Sequence, residues 1–103
     1  MSGSDGGDEI RILEHQSTTM PTGARVKIRI ITVPESKKFP EGIKYSMHYG
    51  LPDEEDPILR YDNAHGVHGK HASGKVEEIE FTSVWNLYQK FRNKVKQHEQ
   101  ERA

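Results

Sequence analysis

The feature of the sequence that most constrains the fold is the alternation in residues 25–33, RVKIRIITV. Apolar and basic residues occupy every second position, so that one side of an extended chain is apolar and the other is charged. This period of two is typical of a half-buried antiparallel strand. The chain is therefore expected to build a sheet with one covered face and one face toward water. The apolar positions are Val26, Ile28 and Ile30, and the basic ones are Arg25, Lys27 and Arg29.

Turn residues divide the rest of the first 81 residues into segments with a weaker alternation of apolar and polar residues. Prolines and glycines interrupt the chain near residues 21–23 and 34–42, and the acidic run PDEEDP at residues 52–57 is too charged to be interior. The segments between these breaks each predict a strand. The further strand candidates are residues 10–18, 44–51, 58–63 and 76–81.

Residues 83–102 predict an amphipathic helix, because five apolar residues recur at helical spacing on one face. Thr82 or Ser83 can cap its first turn, and its polar end from Gln97 is expected to fray. We therefore expect an α+β domain, a single antiparallel sheet of four or five strands with one long C-terminal helix packed on one face. The other helix face is interpreted as solvated surface and carries Lys90, Arg92, Lys94 and Lys96.

Length and composition restrict the class of protein. The chain has 103 residues, of which 32% are hydrophobic and 30% charged, so it can cover one sheet face but cannot fill a second core. We expect one domain over residues 10–103, preceded by a disordered acidic and glycine-rich leader at residues 1–9. The absence of cysteine excludes disulfides and thiolate metal sites. Without an apolar run of membrane-spanning length or a signal segment, the expected location is the cytoplasm, with no membrane partner.

The charged faces of the predicted strands would lie together on the side of the sheet opposite the helix. Such a surface is strongly basic although the net charge is only -1, and it suits a polyanion. The alternative is that these cations only solubilise an exposed sheet face. The residues predicted to bind nucleic acid are Arg25, Lys27, Arg29, Lys44 and Tyr61, the last by stacking unless it belongs to the core.

The chemistry of the chain is concentrated in residues 60–71, RYDNAHGVHGKH, which we interpret as a loop. Metal-independent RNA cleavage needs a base, an acid and a cation beside the phosphate, and all three residue types occur here. The expected site uses no metal and no other cofactor. Zinc held by three histidines and a glycine-rich loop without any role remain alternatives. The predicted catalytic residues are His65, His68, His71, Lys70, Arg60 and His48.

The motif Arg60-Tyr61-Asp62-Asn63, its downstream histidines and a Phe81-x-Ser83 approach to the helix resemble the TumE-type toxins of prokaryotic toxin–antitoxin modules. The resemblance covers about residues 25–95. It implies a toxin that is neutralised by a small antitoxin of the helix-turn-helix type. The family often ends its motif with a His-x-His pair, whereas the histidines here are three apart, so no role is carried over to a single histidine.

Three functions remain open on the sequence. The first is a toxin that cleaves RNA as an endoribonuclease. The second is a regulatory module that binds nucleic acid without catalysis. The third is a surface that serves chiefly to bind the antitoxin, and a homodimer is also left open.

Overall fold

A computed structural model describes residues 10–102, and the leader predicted at residues 1–9 lies outside them. The described chain folds into one sheet of six strands followed by one helix. Each strand pairs antiparallel with the next one in sequence, so the sheet is a meander. The elements are β1 (Ile12–Thr19), β2 (Arg25–Thr32), β3 (Ile43–Gly50), β4 (Leu59–Asp62), β5 (Gly69–Ala72), β6 (Lys75–Glu78) and α1 (Val84–Arg102).

The architecture confirms the predicted antiparallel sheet with one C-terminal helix, but the sheet has six strands and not four or five. The additional strand is β5, which lies inside the segment interpreted as a loop. It forms because Ser73 and Gly74 both have positive φ, 54° and 77°, and so make the two-residue turn that suits a tight hairpin. The final part of the histidine segment is thereby extended and paired on both sides.

Helix α1 covers the centre of one sheet face. Its buried stripe is Val84, Leu87, Phe91 and Val95, and the Phe91 ring meets Tyr61 of β4 edge-on at 6.1 Å. The Ser83 hydroxyl accepts a hydrogen bond from the Asn86 N–H at 3.0 Å, which confirms Ser83 as the cap. The sheet residues beneath the helix are Val26, Ile28, Ile30, Tyr45, Met47, Tyr49, Leu59 and Tyr61.

The C-terminal end of α1 is hydrogen-bonded to the sheet, and the helix continues to Arg102, although the sequence predicted that it would fray from Gln97. The Glu99 carboxylate accepts hydrogen bonds from the Thr22 hydroxyl at 2.6 Å and from the Tyr49 hydroxyl at 2.7 Å. These two bonds join the polar end of the helix to the β1–β2 turn and to β3. Burial and the bond to Glu99 raise the pKa of Tyr49 to about 12.

The sheet face opposite α1, called the outer face below, is basic as expected. The cations of β2 alternate with its buried residues, and the register puts the residues of β3, β4 and β5 that point away from α1 beside them. On β2 to β5 its charged and polar members are Arg25, Lys27, Arg29, Lys44, Ser46, His48, Arg60, Asp62 and His71.

Candidate functional site

A row of four side chains crosses the outer face from β2 to β5. Lys27 lies opposite His48, His48 opposite Arg60, and Arg60 opposite His71. These four residues are called the outer row below. Since neighbouring strands are about 4.8 Å apart, the two histidines are separated by about 10 Å at the backbone, with Arg60 between them. The outer row therefore holds two imidazoles on either side of a guanidinium.

Asp62 restrains the arginine of the outer row. The Arg60 Nε atom lies 2.8 Å from the Asp62 Oδ2 atom, and Asp62 is 7% exposed. The Nε atom is buried but its N–H direction does not meet hydrogen-bond geometry, so the contact is an ion pair without an aligned hydrogen bond. The other Asp62 oxygen accepts from the Ala64 N–H at 3.3 Å. The carboxylate thus fixes the arginine from the β4 side.

The environment of His48 in the outer row changes the acidity of its imidazole. Burial, and then the positive charges of Arg60 and Lys27, lower the pKa of His48 from its ordinary value of 6.5. All three causes disfavour the imidazolium. His48 is therefore neutral near pH 7, which is the state of a proton acceptor.

A hollow of about 370 Å³ opens on the outer face beside His48. It extends from the outer row toward the end of β3 and the loop that follows. Apart from Arg25, its lining residues beyond the outer row were not predicted as site residues. Pro52 and Glu54 lie in the acidic run, which was interpreted only as a turn. The lining is Arg25, Lys27, Ser46, His48, Gly50, Leu51, Pro52, Glu54 and Arg60.

His68 lies away from the outer row, on the helix side of the sheet edge. Its ring stacks on Phe81 at 3.8 Å between centroids and lies 5.7 Å from the Tyr45 ring. The His68 Nε2 atom is 3.3 Å from a Glu41 carboxylate oxygen, which can only accept, so in the neutral ring Nε2 donates to Glu41 and Nδ1 accepts from the Tyr45 hydroxyl at 2.8 Å. Both ring nitrogens therefore contact neighbours, Tyr45 and Glu41, that could not be identified from the sequence pattern.

His65, Lys70 and Tyr61 are also separated from the outer row. His65 is exposed in the β4–β5 turn. Lys70 points to the helix side, because it pairs with the buried Tyr61, and its charge is the largest cause that lowers the pKa of Lys94 on α1. Tyr61 itself is 1% exposed and packs against Phe91, so it is not available for stacking on a nucleobase.

Asn63, which follows Asp62 in the motif, supports the fold through hydrogen bonds to the backbone of β3. Its Oδ1 atom accepts from the Tyr45 backbone N–H at 3.0 Å, and its Nδ2 atom donates to the Ile43 carbonyl at 2.8 Å. The side chain thus extends the pairing of β3 beyond the end of β4. At 2% exposure it is out of reach of a substrate.

Two findings on residues 10–102 bear on the alternatives. No group of three His, Cys, Asp or Glu side chains in this range is arranged to hold a metal ion. His65 lies in the β4–β5 turn, His68 stacks on Phe81 and His71 lies beside Arg60, so the three histidines do not form a metal site. In the same part of the chain, no helix combines the length and the apolarity needed to cross a membrane.

Fold and site together define a small antiparallel α+β protein with a basic sheet face that carries histidines. The sequence model of a family described as Toxin TumE matches residues 8–99. The chain therefore belongs to the TumE toxin family, and it is the toxin component of a toxin–antitoxin system. Membership implies a cognate antitoxin partner. No curated protein and no solved structure matches the chain significantly.

Proposed function

We propose that this toxin is a metal-independent endoribonuclease whose site is the outer row. The observation that carries the proposal is the register that places Arg60 between His48 and His71 on a basic, solvent-facing surface. A phosphate on Arg60 would have one imidazole on each side. That arrangement supplies a base, an acid and a cation for cleavage of RNA.

The reaction divides between the two histidines. Neutral His48 takes the proton from the ribose 2′-hydroxyl, and the resulting oxygen attacks the adjacent phosphorus. His71 donates a proton to the departing 5′-oxygen, so that the products are a 2′,3′-cyclic phosphate and a free 5′-hydroxyl. Arg60 stabilises the charge that develops on the phosphate oxygens, and Asp62 positions it. The lowered pKa of His48 favours its role as the base.

The other cations of the outer face bind the phosphates on either side. Arg25, Lys27 and Arg29 point to the same face of β2 and are separated by about 7 Å, which is two residues of an extended strand. Lys44 of β3 prolongs the surface. Contacts of this kind to the phosphate backbone of the RNA do not depend on the base sequence, and the affinity that they provide weakens as the salt concentration rises. His65, His68 and Lys70 take no part in the proposed reaction.

The antitoxin that the family implies is proposed to be of the helix-turn-helix type and to neutralise the toxin. The alternative function for the outer face is nucleic-acid binding without catalysis. It is favoured if RNA affinity depends steeply on salt while no strand is broken.

The test is incubation of the purified protein with total RNA in EDTA, and again with added zinc or magnesium. We expect cleavage in EDTA, and a loss of at least 100-fold in rate for His48→Ala and for His71→Ala, which is the scale of general acid–base catalysis. His65→Ala is the matched control, since it removes an exposed imidazole from the neighbouring turn and should keep the rate.

The products also discriminate between mechanisms. Cyclic phosphate ends support attack by the 2′-hydroxyl. Cleavage that needs added metal, or that survives both outer-row substitutions, would contradict the proposed site. Binding of RNA without cleavage under every condition, with the fold confirmed by circular dichroism, would leave the binding function.

A further inference from the structure

The hollow on the outer face has two ends of different chemistry. One end is formed by Lys27, His48 and Arg60, which are three members of the outer row. The other end lies one step along the strands, where Arg25 faces Gly50 and the chain continues into the β3–β4 loop. That second end combines a cation, a carboxylate and an apolar wall. Its residues are Arg25, Gly50, Leu51, Pro52 and Glu54.

Gly50 keeps this second end open. A Cβ atom at this position would lie 3.0 Å from the His48 Nε2 atom and 3.4 Å from the Pro57 Cα atom. The first distance is tighter than most real Cβ contacts, so a side chain here would push the imidazole aside by a few tenths of an ångström. The space is therefore formed by the lack of a side chain directly beside the proposed base.

Its size suits one nucleotide. A volume of about 370 Å³ lies at the low end of the range for small-molecule sites. A phosphate at the outer row would direct its own nucleoside toward Gly50 and the loop. Leu51 and Pro52 provide an apolar surface against which a flat base can lie.

We propose that the second end of the hollow binds guanine, so that the RNA is cut on the 3′ side of guanosine. The proposal rests on the endoribonuclease function, because it takes the outer row as the place of the phosphate. Arg25 donates to guanine O6 and N7, as arginine commonly does. Glu54 accepts from N1–H and from the N2 amino group, which lie on the adjacent edge of the base.

The other bases fit this pair of side chains less well. Adenine and cytosine present an amino donor where Arg25 needs an acceptor. Uracil has an acceptor and one N–H but lacks the second donor for Glu54. Among residues 10–102, no ion pair or side-chain hydrogen bond engages Arg25 or Glu54, so both side chains remain available for a ligand.

The experiment measures binding and is independent of cleavage. The four nucleoside 3′-monophosphates and inorganic phosphate are titrated into the full chain by calorimetry, or by NMR with the Gly50 amide as the reporter. We expect 3′-GMP to bind on the order of tenfold more tightly than the other three. Glu54→Gln should remove this preference and keep the affinity for phosphate.

Glu55→Gln is the matched control, because it makes the same change one residue further along, outside the hollow. Gly50→Ala should weaken 3′-GMP more than phosphate. Equal binding of the four nucleotides, a preference for another base, or the same effect from Glu54→Gln and Glu55→Gln would overturn the guanine site. None of these results would affect cleavage that depends on His48 and His71. A guanine preference without RNA cleavage would instead support the site and overturn the nuclease.

Discussion

Substitution of Asn63 tests whether the most specific part of the family motif supports the fold or the chemistry. In Asn63→Ala, the Tyr45 N–H and the Ile43 carbonyl lose their partners, and a buried polar group left unsatisfied costs about 1–3 kcal/mol. Water reaches the half-buried Ile43 more easily than Tyr45, so we expect a total loss of about 2–4 kcal/mol in the free energy of unfolding. For a domain of this size that lowers Tm by about 10–30 °C.

The assay is urea unfolding followed by circular dichroism at 15 °C, with Asn93→Ala as the control. Asn93 is the same residue type, but it is exposed on α1, and its substitution should change stability by less than about 0.5 kcal/mol. Asn63→Asp keeps the acceptor for Tyr45 and sets a negative charge against the Ile43 carbonyl. The introduced carboxyl should have a raised pKa, so this variant should approach the native stability as the pH falls from 7 to 4. A loss below about 1 kcal/mol for Asn63→Ala would refute the structural role.

Three further outcomes are expected. Because the pKa of Tyr49 is raised to about 12 in the folded state, chiefly by burial and then by the bond to Glu99, this residue contributes stability below pH 10 that is lost as the pH rises toward 12. Tyr49→Phe should therefore lose less stability than the native protein over that interval in urea unfolding, and an equal loss would contradict the raised pKa. Lys27→Gln removes a positive charge that lowers the pKa of His48, so the acidic limb of the RNA cleavage profile should move to higher pH, and an unmoved limb would argue against His48 as the base. His68→Ala removes a stacked ring and two hydrogen bonds and should cost about 2 kcal/mol, while cleavage per folded molecule stays unchanged.

The sequence predicted the elements whose patterns are local. The alternation of β2 and β3 assigned the faces correctly, and the helical spacing of residues such as Leu87 and Phe91 identified the buried stripe of α1. The register between strands could not be predicted, because alternation determines which face a residue occupies but not its neighbour on the next strand. The outer row exists only through that register.

The positions of His68 and His71 depend on β5, the strand that was interpreted as part of a loop. Because residues 60–71 were interpreted as a loop, the sequence was compatible with both side chains converging on one site. In an extended chain, residues three apart point to opposite faces, and β5 indeed places His71 on the outer face while His68 turns toward Phe81. The Ser73-Gly74 dipeptide was the available signal for this hairpin, but Gly69–Ala72 has too little alternation to predict a strand by itself.

The order of the elements along the chain has a consequence for biosynthesis. Because each strand pairs with the one before it, the meander can assemble hairpin by hairpin as the chain leaves the ribosome, with little cost for closing long loops. The helix that covers its apolar face, α1, follows all six strands and is therefore translated after them. Ile28, Met47 and Tyr61 therefore stay in water until residues 84–102 have emerged, and a nascent chain without them presents an incomplete core. The alignment of the outer row depends on that sheet, so we expect the surface proposed to act on RNA to become stable only after the helix has been translated and has packed on the sheet.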